Sequence, residues 1–220
     1  LMKTKEKILK TSIDVFNKYG YNSISFQELA NYLKISRGNL TYHFKDKGAL
    51  LKSISNQMWI EFDKEKQKTT ILPSFENIYN EIKIFHKLQR KYSFIFLNTH
   101  LSSHPVIKSK FKGMMLSSVE QNKATILFSI QIGNFKPEAI HGTYNNLAFS
   151  VWMVSNYWFF QQSTFGEDNT EDAGIMVWSL LLPYFTEKGL NAFKKYFGIK
   201  YYKNIGLPFE SNFKIMNSKI

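Results

Sequence analysis

The chain has 220 residues, 44% hydrophobic and 16% aromatic, which is enough apolar material for a sizeable core and excludes a disordered polypeptide. Cysteine is absent, which excludes a disulfide framework, a thiolate metal site and a thiol nucleophile, and fits a reducing compartment. The formal net charge is +12, and residues 1–52 carry ten Lys+Arg against four Asp+Glu while residues 53–220 carry nineteen against thirteen. The first quarter is therefore much the denser in positive charge, which points to a polyanionic partner, nucleic acid first and an anionic membrane surface second.

The N-terminal LMKTKEKILKT lacks the apolar stretch of a secretory signal. The most apolar run, Phe149–Phe160, is too short to span a bilayer. A soluble, cytoplasmic protein is expected.

Residues 4–19 predict a first helix, with Ile8, Leu9, Ser12, Ile13, Phe16 and Tyr19 recurring at helical spacing and Gly20 as its stop. The segment ISFQELANYL carries a capping box: Ser25 is the N-cap, Glu28 follows at the third position, and Ile24 with Leu29 forms the hydrophobic staple. The turn Lys34-Ile35-Ser36 leads at once into a third helix with Ser36 as N-cap. Leu40 and Phe44 anchor that helix, while Arg37, Asn39, Thr41, Tyr42 and His43 crowd it with hydrogen-bond donors. Asp46 caps a fourth helix that runs into KEKQK at 64–68. Two short helices joined by a tight turn form a helix-turn-helix, and the polar outer face of the second belongs in a DNA major groove. Arg37, one of two arginines beside 27 lysines, is the candidate base reader, because its guanidinium pairs bidentately with guanine.

Beyond Pro73 the pattern predicts helices over about 74–91, 93–103, 105–133, 137–162, 171–183 and 186–197, with FGEDNT at 165–170 as a loop. No useful β-alternation appears, and the tail after Gly198 has no clean period. Phe94, Phe96, Tyr144, Trp152, Trp158 and Phe159 are candidates to line a cavity, with His100, Asn145 and Asn156 as polar handles. The helix at 171–183 is apolar nearly all round, so both of its sides must be covered. One side is expected in the core. The other, with Trp158, Trp178 and Leu181, is expected in a four-helix bundle across a two-fold axis. His100 and His104 share a helix face at metal-ligand spacing but have no third ligand. Ser109-Lys-Phe-Lys112 matches a serine-acylase motif without its companion motifs. No metal, cofactor or catalytic residue is expected.

Over residues 4–52, the run FNKYGYNSISFQELANYLKIS followed by ISRGNLTYHFKDKGALL resembles the DNA-binding signature of the tetracycline-repressor (TetR) family of bacterial transcriptional regulators. The resemblance implies an all-α homodimer. Residues 1–52 would form a helix-turn-helix DNA-binding domain and 53–200 a helical ligand-binding and dimerisation domain, with 201–220 as an unassigned tail. It further implies a palindromic double-stranded operator and release by a small-molecule effector, here of hydrophobic or aromatic character. By the same resemblance, Ser25 and its helix N-terminus face a phosphate. Ser36, Arg37, Gly38 and Asn39 approach base edges, Thr41, Tyr42 and His43 bind phosphates, and Lys47 is the phosphate lysine. Lys34 stands where the family has glycine at positive φ, and Thr41 where many members carry a tyrosine. The alternatives from other classes are a small helical enzyme using the aromatic cavity, for which no nucleophile–base pair is found, and a basic protein that binds membrane surfaces.

Overall fold

The computed structural model describes residues 4–68, 73–165 and 172–206. The regular structure among them is helical: α1 (Thr4–Tyr19), α2 (Phe26–Leu33), α3 (Arg37–His43), α4 (Lys47–Lys66), α5 (Phe75–Lys91), α6 (Ser93–Phe96), α7 (Thr99–Ser102), α8 (Pro105–Gln131), α9 (Thr143–Phe165), α10 (Ala173–Leu181), α11 (Glu187–Phe197) and α12 (Ile199–Lys203). No helix among the described residues is long and apolar enough to cross a membrane. The described residues form two compact units, one within 1–68 and 87–114, the other within 69–86 and 115–220.

The first unit is built by local signals. The Ser25 hydroxyl accepts the Glu28 N–H at 3.1 Å while the Glu28 carboxylate accepts the Ser25 N–H at 2.7 Å, the reciprocal box that satisfies two orphan donors of α2. Ser36 accepts from Asn39 N at 3.1 Å and Asp46 from Ala49 N at 2.7 Å, so the next two helices start where their caps stand. Ile8, Phe16, Leu29, Leu40, Leu50, Leu51, Ile54 and Met58 are fully buried, each removing on the order of 2 kcal/mol of apolar side chain from water. The second stretch of this unit is tied in by polar contacts. Asn17 donates to the Lys91 carbonyl at 2.9 Å and accepts the Phe94 N–H at 3.0 Å. Glu61 accepts from Lys91 Nζ at 2.7 Å and from the Tyr92 hydroxyl at 3.0 Å.

The second unit is held by aromatic packing. Trp178 and Phe193 are buried at its centre, with Phe75 5.9 Å and 5.5 Å from them and Phe197 stacked on Tyr201 at 4.7 Å. The Asp172 carboxylate caps α10 through Gly174 N at 2.9 Å and accepts the hydroxyls of Tyr79 at 2.6 Å and Tyr201 at 2.8 Å. Gly189 lies so close to Asn134 that a Cβ would stand 2.1 Å from its carbonyl oxygen; only glycine fits there.

Three predicted helices differ from the observed ones, and the tail read as having no clean period holds a further helix. The stretch 93–103 breaks into α6 and α7, because Asn98 is extended and its side chain accepts the N–H groups of His100 and Leu101 at 3.0 and 3.3 Å. The helix expected from Pro137 begins at Thr143. Residues 134–136 instead bridge to 184–186, with Phe135 opposite Phe185, and Gly142 turns the chain at φ 88 before Glu138 caps Tyr144 N at 2.6 Å. The helix expected over 171–183 is α10, closed by a 3₁₀ turn at Leu182–Tyr184 around Pro183. The tail after Gly198 contains α12. The loop expected at 165–170 and the tail from 207 lie outside the described residues, apart from the helical backbone of Phe165.

Candidate nucleic-acid interface

Helix α3 has two unlike faces. Leu40 at 0% and Phe44 at 3% exposure seat it on the core. Arg37, Gly38, Asn39, Thr41 and Tyr42 are exposed, Tyr42 at 86%. His43 is half-buried and meets Tyr42 edge-on at 5.2 Å. Such exposure of a tyrosine ring, a guanidinium and a carboxamide on one seven-residue helix does nothing for the core, and it presents donors of the kind that reach base edges and phosphates. A Cβ at Gly38 would meet only Ser36 Oγ, at 3.9 Å, so the absent side chain there leaves the backbone open to close approach from outside.

Ser25 and Ser36 are exposed, and both hydroxyls already accept from their own helices. Each keeps its O–H free in principle as a donor, the form a phosphate oxygen requires. Hydrogen bonds from Ser25 hold the Glu28 carboxyl below the usual carboxylate range, so the box carries a negative charge beside the N-terminus of α2. Lys34, in the turn between α2 and α3, has φ 56 and ψ 42. It is the one residue other than glycine at positive φ among the described residues, so the turn has the geometry expected of a glycine and bears lysine instead.

Lys47 is disposed differently from the exposed donors. Its ammonium turns inward, donating to the Tyr21 carbonyl oxygen and lying 4.1 Å from the Tyr21 ring centroid. Lys5 is a cation that sequence reasoning passed over: its Nζ lies 5.6 Å from the Phe44 ring, so the start of α1 adds charge beside the end of α3. The signal was available in the basic face of α1, but not the contact that places it.

Family profiles agree with this geometry. One described as "Bacterial regulatory proteins, tetR family" matches residues 8–54, and TetR, "Bacterial transcriptional repressor", matches 54–193. The chain belongs to the TetR family. Among curated relatives, the HTH-type transcriptional regulator QacR of Staphylococcus aureus is 36% identical over 87 residues, 38% of this chain and 46% of QacR. The chain spans less than half the length of several of the curated relatives it matches. A TetR-family regulator from Marinobacter aquaeolei superposes with TM-score 0.76 at 23% identity, over 91% of this chain and 99% of that one. AibR, solved with isovaleryl coenzyme A and operator DNA, superposes with TM-score 0.63 at 19% identity, over 80% of this chain and 97% of its own. These two show the TetR fold.

The remaining candidate positions of this TetR-family chain fall in both units. Phe96, in the first, packs on Phe111 at 5.4 Å, and His100 there is exposed. In the second, Asn145 is exposed and Asn156 donates to the Trp152 carbonyl one turn back at 2.9 Å. Trp152 lies against Phe149 at 5.5 Å with its indole N–H buried and without an acceptor. Sequence reasoning missed a partly buried polar pair in the second unit, His86 with Gln162 at 2.7 Å; Gln162 is 3% exposed. A glutamine continuing the apolar run of α9 was the available sign. Trp158, Trp178 and Leu181 are 7%, 1% and 8% exposed within the single chain. The apolar surface left on α9 is instead Phe149, Met153, Tyr157 and Phe160.

Proposed function

We propose that this chain is a dimeric, effector-responsive transcriptional repressor that reads a palindromic operator with α3. The observation that carries the reading is the exposed Arg37–Tyr42 face set on a buried Leu40–Phe44 base at the densely positive end of the chain. Residues 1–52 supply the DNA contacts. Ser36, Arg37, Gly38 and Asn39 face base edges, and Ser25, Thr41, Tyr42 and His43 face the backbone phosphates. Residues 53–200 supply dimerisation and the effector site. The effector is a hydrophobic or aromatic small molecule, in keeping with the aromatic interior, and Trp152 with its unsatisfied indole N–H is the first lining residue to test. The two copies meet on α9 through Phe149, Met153, Tyr157 and Phe160, whose spacing of four, four and three residues lays them along one face. The protein works in the cytoplasm, without a cofactor and without an enzymatic step.

The test is selection from a random duplex pool with the purified full-length chain, followed by affinity measurement of the recovered sequence across salt concentrations. An inverted repeat with half-sites about 34 Å apart or a multiple of that is expected, with affinity falling steeply as salt rises because each neutralised phosphate releases counterions. Retention of DNA without enrichment of any sequence overturns the reading.

A further inference from the structure

The resemblance to its family gives Lys47 to a DNA phosphate, yet the side chain is built into the protein. Its ammonium donates to the Tyr21 carbonyl oxygen, and the Tyr21 hydroxyl returns a hydrogen bond to the Lys47 carbonyl at 3.4 Å. The charge stands 4.1 Å from the Tyr21 ring and 5.7 Å from that of Phe16, the faces that attract a cation through their quadrupoles. Tyr21 is itself wedged. Phe16 meets it edge-on at 5.2 Å, and Phe94 of α6 lies nearly parallel to it at 6.4 Å and 17°. Tyr21, Phe16 and Phe94 are all buried. Burial lowers the Lys47 pKa against the raising influence of Glu28.

We infer that Lys47 is a positioning residue: its ammonium pins the first turn of α4 to the turn between α1 and α2, and Phe94 of α6 braces the ring that holds the pin. The consequence is geometric. Ser25 opens α2 four positions beyond Tyr21, and Lys47 opens α4, so the pin sets the distance between two helix N-termini on either side of α3. The inference rests on the operator-reading function proposed above. It assigns the affinity owed to Lys47 to the geometry of the reader and not to a charge placed on DNA. A lysine on a phosphate adds about 0.9 to the slope of log affinity against log salt, whereas a pin adds nothing to it.

The experiment compares wild type, Lys47→Met, Phe94→Leu and the double variant on the selected operator. Lys47→Met is expected to weaken binding severalfold with the salt slope unchanged. Phe94→Leu should weaken it in the same way, and the double variant should fall short of the two losses multiplied. A slope reduced by about 0.9 in Lys47→Met, or fully multiplicative losses, overturns the inference. A second measurement needs no DNA and separates failure of the pin from failure of the operator-reading function. In the free full-length protein, acetic anhydride should acylate Lys47 more slowly than exposed Lys45, and Phe94→Leu should raise the Lys47 rate toward that of Lys45. Equal rates in the wild type overturn it.

Discussion

Lys34→Gly should make the protein more stable at high salt, although it removes a side chain and a charge. Lys34 closes α2 in the left-handed conformation, φ 56 and ψ 42, with its N–H directed to the Ala30 and Asn31 carbonyls. An L-residue with a Cβ gives up roughly 1–2 kcal/mol in that region, which glycine recovers. Two terms oppose the gain. Glycine widens the unfolded ensemble by about 0.4–1 kcal/mol, and loss of a cation at the C-terminus of α2 removes about 0.3–1 kcal/mol at low ionic strength. The net is near zero in dilute buffer and about 0.5–1 kcal/mol in favour of glycine once salt screens the helix dipole. For a chain of this size that corresponds to a rise of a few degrees, about 2–4 °C per kcal/mol. The assay is thermal unfolding followed by circular dichroism at low and at high salt. Lys34→Asn serves as a neutral residue that tolerates the left-handed region, and Lys34→Val as one that does not. The expected order at high salt is Gly above Asn, with Lys below and Val lowest. A glycine variant less stable than wild type at high salt would refute the reasoning.

Arg37→Ala should cost about 1–3 kcal/mol of operator affinity and relax preference at one position in each half-site; equal weakening on every sequence would assign Arg37 to a phosphate. Tyr157→Glu places a charge on an α9 side chain that is 66% exposed, and light scattering should report conversion from dimer to monomer; a persistent dimer would move the interface elsewhere. Burial and the Asp172 carboxylate raise the pKa values of the Tyr79 and Tyr201 phenols. Their folded values exceed the unfolded one, so their contribution is complete below about pH 10 and is lost as the pH rises past it. The melting temperature should therefore fall more steeply above pH 10 in wild type than in Tyr201→Phe, and parallel curves would exclude the phenols as the cause.

The parts of the fold that were legible in the sequence are those decided within a few residues. Ser25 with Glu28, Ser36 and Asp46 each cap the helix beginning next to them, because an N-cap needs only the next turn's N–H groups. The left-handed geometry at Lys34 was implied only by the family resemblance, through the glycine that the family carries there. What escaped was set by distant partners. Thr186 bonds to the carbonyls of Gly133 and Asn134, more than fifty residues earlier, and that bridge displaced the start of α9. The inward turn of Lys47 depends on a carbonyl 26 residues away and on a ring braced by Phe94. Trp158, Trp178 and Leu181, expected at a dimer seam, are buried within the single chain, and periodicity alone does not say which apolar face meets the chain's own core and which a second copy.

The two hydrogen bonds of Asn17 bear on how this protein can be taken apart. A fragment cut after residue 68 would keep every side chain proposed to face DNA. It would lose the Lys91 carbonyl and Phe94 amide that satisfy the Asn17 carboxamide, and with Phe94 it would strip one wall from Phe16 and Tyr21. The smallest portable reader is therefore discontinuous, with residues 87–114 joined to the N-terminal helices. Grafting this reader onto another sensor requires the donor's α6 to travel with it.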